Sequence, residues 1–383
     1  MSEPRLADRL YLDHAATTPM TEAARAAVAE GFARWANPSS PHAEGRAARA
    51  ALEDARRRIA KAYGWKHDLI LTSGASEALG LALGRASAAR RLVSAVEHDS
   101  VFRAAGEAEI LPVDEHGLVS SEGVSTSLDT NGQGSDAPSS IPFASSEVEK
   151  RFPAIVAIQW ANSETGVRQP IADLADVIHA AGALLLVDAA QMPAGADPAP
   201  IEHADFVVIS AHKRGGPPGI GALLVRDLGT LAPTGGQERG YRAGTENLPG
   251  ALGFAAAVEE PEDMACMAAL RATLDDAIQR SGGEVVAARA PRHPAIGAYR
   301  MRGTAAAAQL IRLDMAGISV SAGSACSSGS MKPSHVLAAM GWRDPALREV
   351  IRVSFGRATS EEDVARFIAA WRQVARETRS FAA

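Results

Sequence analysis

Short apolar runs separated by polar turns set the rhythm of this chain. LILT (69–72), RLVSAV (91–96), AIVAIQ (154–159), LLLVD (184–188), FVVIS (206–210) and GALLV (221–225) are nearly free of charge. Runs of this length without strict alternation predict strands buried on both faces, as in a parallel sheet covered by helices. Between them lie helical stretches such as EALGLALG (77–84) and IADLADVIHAAG (171–182). The alternation predicts an α/β domain with a mostly parallel, doubly covered sheet. The runs end in polar residues: Thr72-Ser73-Gly74, Glu97-His98-Asp99, Trp160-Ala161-Asn162, Asp188-Ala189-Ala190-Gln191 and Ser210-Ala211-His212-Lys213. In such sheets ligands gather at the carboxyl ends of the strands.

Near residue 256 the pattern changes. ACMAALRATLDDAIQR (265–280) predicts a long amphipathic helix, and VIRVSFGR (350–357) a strand. SEEDVARFIAAWRQVARE (360–377) predicts a final helix opened by a Ser-Glu-Glu-Asp cap. We read residues 15–255 as a large domain and 256–383, joined by 1–14, as a smaller α+β domain. The serine-rich segment 120–146 is expected to be a surface loop or partly disordered insert.

Composition narrows the class. The chain has 383 residues, too many for one small core. Apolar residues make up 46% and charged residues 22%, the balance of a soluble globular protein. A net charge of −6 with no block of like charges gives no reason to expect a nucleic-acid partner. The first ten residues, MSEPRLADRL, contain no apolar stretch of the secretory kind. The longest greasy run, ALLLV (183–187), is too short to span a bilayer, so no membrane partner is expected. Two cysteines, Cys266 and Cys326, cannot build a disulfide framework. A reduced, cytoplasmic protein is the expectation. No metal site is expected.

Three polar strand ends fit one chemistry. Thr72-Ser73-Gly74-Ala75-Ser76 leads from a strand into a helix, where free backbone N–H groups favour an anion. Asp188 closes an apolar strand, and a carboxylate there needs a cationic partner. Lys213 stands beside a Gly/Pro-rich turn, where partial desolvation would make its amine nucleophilic. A phosphate cradle, an acid for a protonated ring nitrogen and an amine for an aldehyde are the handles that pyridoxal phosphate needs. His98 ends another run and is placed to stack on a flat ring or shuttle a proton. Cys326 lies in SAGSACSSGSM (321–331), where no large apolar neighbour would bury it. Its exposure suits a reactive thiolate.

The sequence resembles the cysteine desulfurases of the NifS/IscS type, in the class V group of fold type I pyridoxal-phosphate enzymes. The matching stretches are YLDHAATTP (11–19), NPSSPHAEGR (37–46), LTSGASEA (71–78), VEHDS (96–100), NSETGVRQPI (162–171), VDAAQ (187–191), SAHK (210–213), GGQERGYRAGTEN (235–247), SVSAGSACSSGSMKPSHVL (319–337) and IRVSFGRAT (351–359). They run in family order over nearly the whole chain. The resemblance implies that Lys213 holds the cofactor, Asp188 pairs with its ring nitrogen and Gln191 bonds its ring 3-oxygen. It implies that His98 stacks on the ring and moves protons, and that Ala75, Ser76, Ser210 and His212 hold the phosphate. It implies that Thr245 reaches the partner's phosphate in a homodimer, and that Arg352 binds the substrate carboxylate. Cys326 would take sulfur from L-cysteine, leaving alanine, and pass it to an acceptor or scaffold protein for iron–sulfur clusters or thiolation. Cys266, in an apolar helix, is expected to be inert.

Two departures stand out. Where the family has Asn-Asn-Glu this chain has Asn162-Ser163-Glu164, so the ring contact is expected to weaken or to pass to Asn162. After the lysine the usual aromatic-Gly-Pro-Lys run becomes Arg214-Gly215-Gly216-Pro217-Pro218. Selenocysteine lyase and aminotransferase activities are the alternatives within the fold. A weakly active cofactor-binding scaffold in a sulfur-transfer complex is the alternative from another class.

Overall fold

The structure is a computed structural model and describes residues 9–129, 152–323 and 333–381. Cys326, most of the serine-rich segment and residues 1–8 of the expected small domain lie outside the described residues.

The first group of elements is β1 (Leu10–Tyr11), α1 (Glu22–Ala33), α2 (Ala43–Tyr63), β2 (Asp68–Thr72), α3 (Ala75–Arg85), β3 (Ala88–Ser94), α4 (Asp99–Ala105), β4 (Glu109–Leu111), α5 (Ser121–Asp129), β5 (Phe152–Gln159), α6 (Ile171–Ala180), β6 (Leu184–Asp188), α7 (Ala199–His203), β7 (Phe206–Ser210), β8 (Gly221–Val225) and α8 (Leu248–Glu259). The second is α9 (Met264–Arg280), β9 (Glu284–Val285), β10 (Ile296–Arg300), α10 (Ala306–Met315), β11 (Ile318–Ser319), α11 (His335–Ala339), β12 (Val350–Ser354) and α12 (Glu361–Phe381).

Among the described residues the large sheet has seven strands in the order β2-β8-β7-β6-β5-β3-β4. The pairs β3–β4, β3–β5, β5–β6 and β6–β7 are parallel, while β8 runs antiparallel to both β2 and β7. Both faces are covered, which explains the unbroken apolar runs. On β5, Val156 and Ile158 face one layer with Leu52, Leu174 and Phe254. Ile155 and Ala157 face the other with Leu79, Leu83 and Val101.

The second group has its own core. Strands β12, β10 and β9 form an antiparallel sheet, and β1 pairs in parallel with β11. Leu12, Leu274, Ile351, Phe367 and Trp371 pack together there. The cap predicted for the last helix is present: Asp363 N–H donates to Ser360 Oγ at 3.2 Å, and Ser360 N–H donates to Asp363 Oδ2 at 2.9 Å.

Three expectations need correction. Strand β3 stops at Ser94, because Ser94 turns the chain: its carbonyl accepts from Glu97 N–H at 3.2 Å and its hydroxyl from Val96 N–H at 3.3 Å. The serine-rich segment opens with a helix, α5, anchored by buried Val124 and Leu128 at a spacing of one helical turn. Cys266 lies in α9 as expected, but on its solvent-exposed side in the first turn.

Candidate active site

The carboxyl ends of β3, β5, β6 and β7 open into a cavity of about 1050 Å³, closed on its far side by β12 and the start of α11. Asp188, Gln191, Ser210, His212 and Lys213 line it, as do His98, Asn162, Ser163, Ala75, Ser76 and Arg352. Thr245 does not: it is exposed on the loop before α8.

Each side chain has a local cause. Helix α3 begins at Ala75 with Gly74 as its cap, and no side chain satisfies the cap position. Gly74 presses against β8, where a Cβ at Gly221 would lie 2.8 Å from Gly74 Cα. The first-turn N–H groups of an eleven-residue helix are thus left facing the cavity. Ser210 Oγ, at the end of β7, is buried without a hydrogen-bond partner, and so is Gln191 Oε1. Gln191 is held by its other amide atom, Nε2, which donates to the Ala15 carbonyl at 3.0 Å. Buried polar atoms without partners are rare, and two on one wall mark the place of a polar ligand. The residues present therefore fit a phosphate-bearing ring compound.

Electrostatics sharpen the picture. Burial brings the Lys213 amine down to about 8; Asp188 pulls it up, while Arg352 and Arg214 push it down. His98 is lowered by burial and then by Lys213, so its ring is neutral near pH 7. His98 Nδ1 accepts from Ser100 N–H at 3.2 Å, capping α4 and leaving the ring at the cavity wall. His212 falls to about 4 through burial, then Lys213 and Arg214. Asp188 Oδ1 accepts from Ala190 N–H at 2.9 Å, which fixes the carboxylate at the strand end.

The departures from the family pattern now have physical readings. Asn162 is buried and its amide serves the turn: Nδ2 donates to the Val96 carbonyl at 3.0 Å, and Oδ1 accepts from Glu164 and Thr165 N–H at 2.9 and 2.8 Å. It has little left for a ligand. Ser163 contributes a main-chain carbonyl, which accepts from Arg352 Nη1 at 2.9 Å. Arg214 is buried rather than lost to solvent, and its Nη1 donates to both Glu262 carboxylate oxygens at 3.1 and 3.2 Å.

Sequence reasoning passed over three carboxylates in this cavity. Glu97 is fully buried, accepts from Gln159 N–H at 2.8 Å, and is raised well above the usual carboxylate range by burial and then by Asp188. Glu164 accepts from Ser334 Oγ at 2.5 Å and is raised by burial. Asp13 faces Arg352. Each stood in a quoted motif, but its partners come from distant segments. His293 was also missed. Its ring donates to the Gln191 carbonyl at 3.1 Å, behind the cavity wall.

A lysine at a strand end opposite a strand-end carboxylate, beside a helix N-terminus on a mostly parallel sheet, is the arrangement of a fold type I pyridoxal-phosphate enzyme. The chain belongs to the aminotransferase class-V family, whose profile matches residues 10–133 and 144–367, and within it to the cysteine desulfurases of the NifS and IscS type. It is 36% identical to a cysteine desulfurase of Frankia over 93% of this chain and 88% of that one. It is 35% identical to an IscS-like cysteine desulfurase of Mycobacterium tuberculosis, covering 92% of this chain and 93% of the relative. A NifS-like protein of Rickettsia africae superposes with a TM-score of 0.81 at 28% identity, over 96% of this chain and 99% of that one. The structure of SspA in complex with cysteine matches at a TM-score of 0.72 and 26% identity, over 92% and 100% of the two chains. Among the described residues no helix is long and apolar enough to cross a membrane.

Proposed function

We propose that this chain binds pyridoxal phosphate in the cavity at the strand ends and removes sulfur from L-cysteine, leaving alanine and a persulfide on Cys326. The observation that carries this reading is the convergence on one cavity of buried Lys213, Asp188, the start of α3, two unpartnered polar atoms and Arg352. Lys213 would hold the cofactor. Ala75, Ser76, Ser210 and His212 would take its phosphate, Asp188 its ring nitrogen and Gln191 its ring oxygen. When bound, the cofactor supplies an electron sink for charge that develops at the substrate α-carbon. The chain's own residues do the rest. Arg352 binds the carboxylate through a planar fork. Lys213, with an amine near 8, can release and take back a proton close to neutral pH. Neutral His98 can accept or pass one. The Cys326 thiolate attacks the substrate sulfur: an S–S bond forms, the C–S bond breaks, and its electron pair stays with the carbon that becomes the alanine methyl.

The test is direct. Purified protein given L-cysteine and a thiol reductant is expected to release alanine and sulfide in equal amounts, with no keto acid required. Pyruvate formation, or alanine formation that depends on an added keto acid, would reassign it to lyase or transaminase chemistry. Sulfur passed to an acceptor or scaffold protein in the cytoplasm, for iron–sulfur clusters or thiolation, is the proposed destination.

The working unit is proposed to be a homodimer. Thr245 is exposed on a loop that Glu238 pins from behind, accepting from Arg56 Nη1 at 2.6 Å and from Leu71 N–H at 2.9 Å. A rigid loop presenting an exposed hydroxyl suits completion of the site of a second copy. Sedimentation at micromolar concentration is expected to give a dimer; a species that is active and monomeric throughout overturns this.

A further inference from the structure

Arg352 is assigned above to the substrate carboxylate, yet in the ligand-free chain its fork is already engaged. Nη2 donates to Asp13 Oδ1 at 2.7 Å and Nη1 to the Ser163 carbonyl at 2.9 Å, while Nε is buried without a partner. The ion pair is largely enclosed: the Arg352 side chain is 9% exposed and that of Asp13 20%. Both residues line the cavity.

Asp13 is held firmly from the main chain. Its carbonyl accepts from Ala16 N–H at 3.0 Å and from Tyr11 Oη at 3.1 Å. The neighbouring Leu12 carbonyl accepts from Ser354 N–H at 2.8 Å, two residues beyond Arg352 on β12. The chain therefore places a carboxylate, by construction, on an N–H of the guanidinium that a ligand carboxylate would use.

We propose that Asp13 is a specificity-determining residue: a resident counter-anion that neutralises Arg352 in the empty site and gives up its hydrogen bond when an amino-acid carboxylate arrives. This rests on the reading of Arg352 given above. The physical logic is competition. A guanidinium left unpaired in a closed site is costly, and an ion pair relieves that cost. The same pair makes every incoming carboxylate displace a like charge, so binding is weakened and product leaves more readily. Two like charges a few ångströms apart in a partly enclosed site repel enough to alter affinity about three- to tenfold after solvent screening.

The probe is L-alanine, the expected product, titrated against the cofactor-loaded enzyme while the visible spectrum is followed. Asp13→Asn keeps an acceptor for Nη2 and removes the charge. It is expected to bind alanine about three- to tenfold more tightly and to lower KM for cysteine in step, with kcat unchanged or reduced. Asp13→Ser, a second neutral replacement, is expected to do the same, whereas Asp13→Glu keeps the charge and gains no affinity. Neutral variants that bind alanine no better than wild type overturn the proposal. Arg352→Gln is the control for the underlying reading: if it leaves alanine affinity intact, the carboxylate sits elsewhere and that reading fails first. Should neither neutral variant fold, a wild-type crystal structure with alanine decides the matter. A ligand carboxylate on Arg352 with Asp13 turned away supports the proposal; an unbroken Asp13–Arg352 contact beside the bound ligand refutes it.

Discussion

Cys326→Ser is expected to bind cofactor and cysteine normally and to make almost no alanine or persulfide. The two hydroxyl and thiol side chains are near in size, so binding should survive. Their chemistry differs sharply. A thiol with an ordinary pKa near 8.5 is a few per cent thiolate at pH 7 and intrinsically nucleophilic, whereas a serine hydroxyl needs a dedicated base. The described residues on either side of the segment give the expectation a location. Gly323 and Pro333 both line the cavity. Gly323 packs so closely that a Cβ there would lie 2.2 Å from Glu164 Oε2, and Ser334 donates to that same oxygen at 2.5 Å. The chain thus leaves and re-enters at the cavity rim. Three residues of chain reach at most about 11 Å, so covalent geometry alone keeps Cys326 near the site. Cys266→Ser is expected to be close to normal, because Cys266 is exposed on α9 and does not line the cavity. Mass spectrometry after a cysteine pulse reads the result. One added sulfur on the peptide holding Cys326 supports the mechanism; the same gain on Cys266 alone, or full turnover in Cys326→Ser, overturns it.

What the sequence made legible, and what it hid, follows from how far apart the interacting residues lie. Strands β2, β5, β6, β7 and β8 could be read from their apolar runs because burial on both faces leaves no polar position in them. The chemistry-bearing residues at their ends could be read because a strand end is a local feature: Lys213 follows FVVIS, and Asp188 closes LLLV. The helix α5 was hidden because two apolar residues among serines, Val124 and Leu128, are enough to anchor nine residues once a core lies beneath them. Asp13 and Glu164 were hidden for the opposite reason. Their neighbours in sequence say nothing about Arg352 or Ser334, which reach them across 339 and 170 residues. Arg214 shows how a departure can be absorbed. Its charge enters the interior because Glu262 lies opposite, and Arg357 Nη1 donates to the Arg214 carbonyl at 2.9 Å. A single-sequence reading sees the missing aromatic but not the incoming carboxylate.

Loading of the cofactor-free protein with pyridoxal phosphate is expected to speed up with pH and level off just above pH 8. Only a neutral amine can attack an aldehyde, so the rate follows the unprotonated fraction of Lys213. An ordinary lysine near 10.5 would be neutral in about one molecule in three hundred at pH 8, and its rate would keep rising beyond pH 10. Burial brings Lys213 to about 8. Half the molecules are then competent at pH 8 and about a tenth at pH 7, a gain of roughly a hundredfold over an exposed lysine. The neighbours predict the direction of a second shift. Asp188 pulls the Lys213 amine upward by favouring its ammonium form. Asp188→Asn removes that pull, so the plateau should move to lower pH even as later chemistry suffers. Lys213→Ala is expected to lose cofactor on dialysis and to retain on the order of a hundredth to a ten-thousandth of wild-type turnover, the usual loss when a positioned proton carrier is removed. Stopped-flow absorbance of the apoprotein between pH 6 and 10 provides the measurement. A loading rate that climbs tenfold per pH unit past pH 9 would mean that Lys213 is an ordinary exposed amine, and the assignment of this cavity as the cofactor site would fall with it.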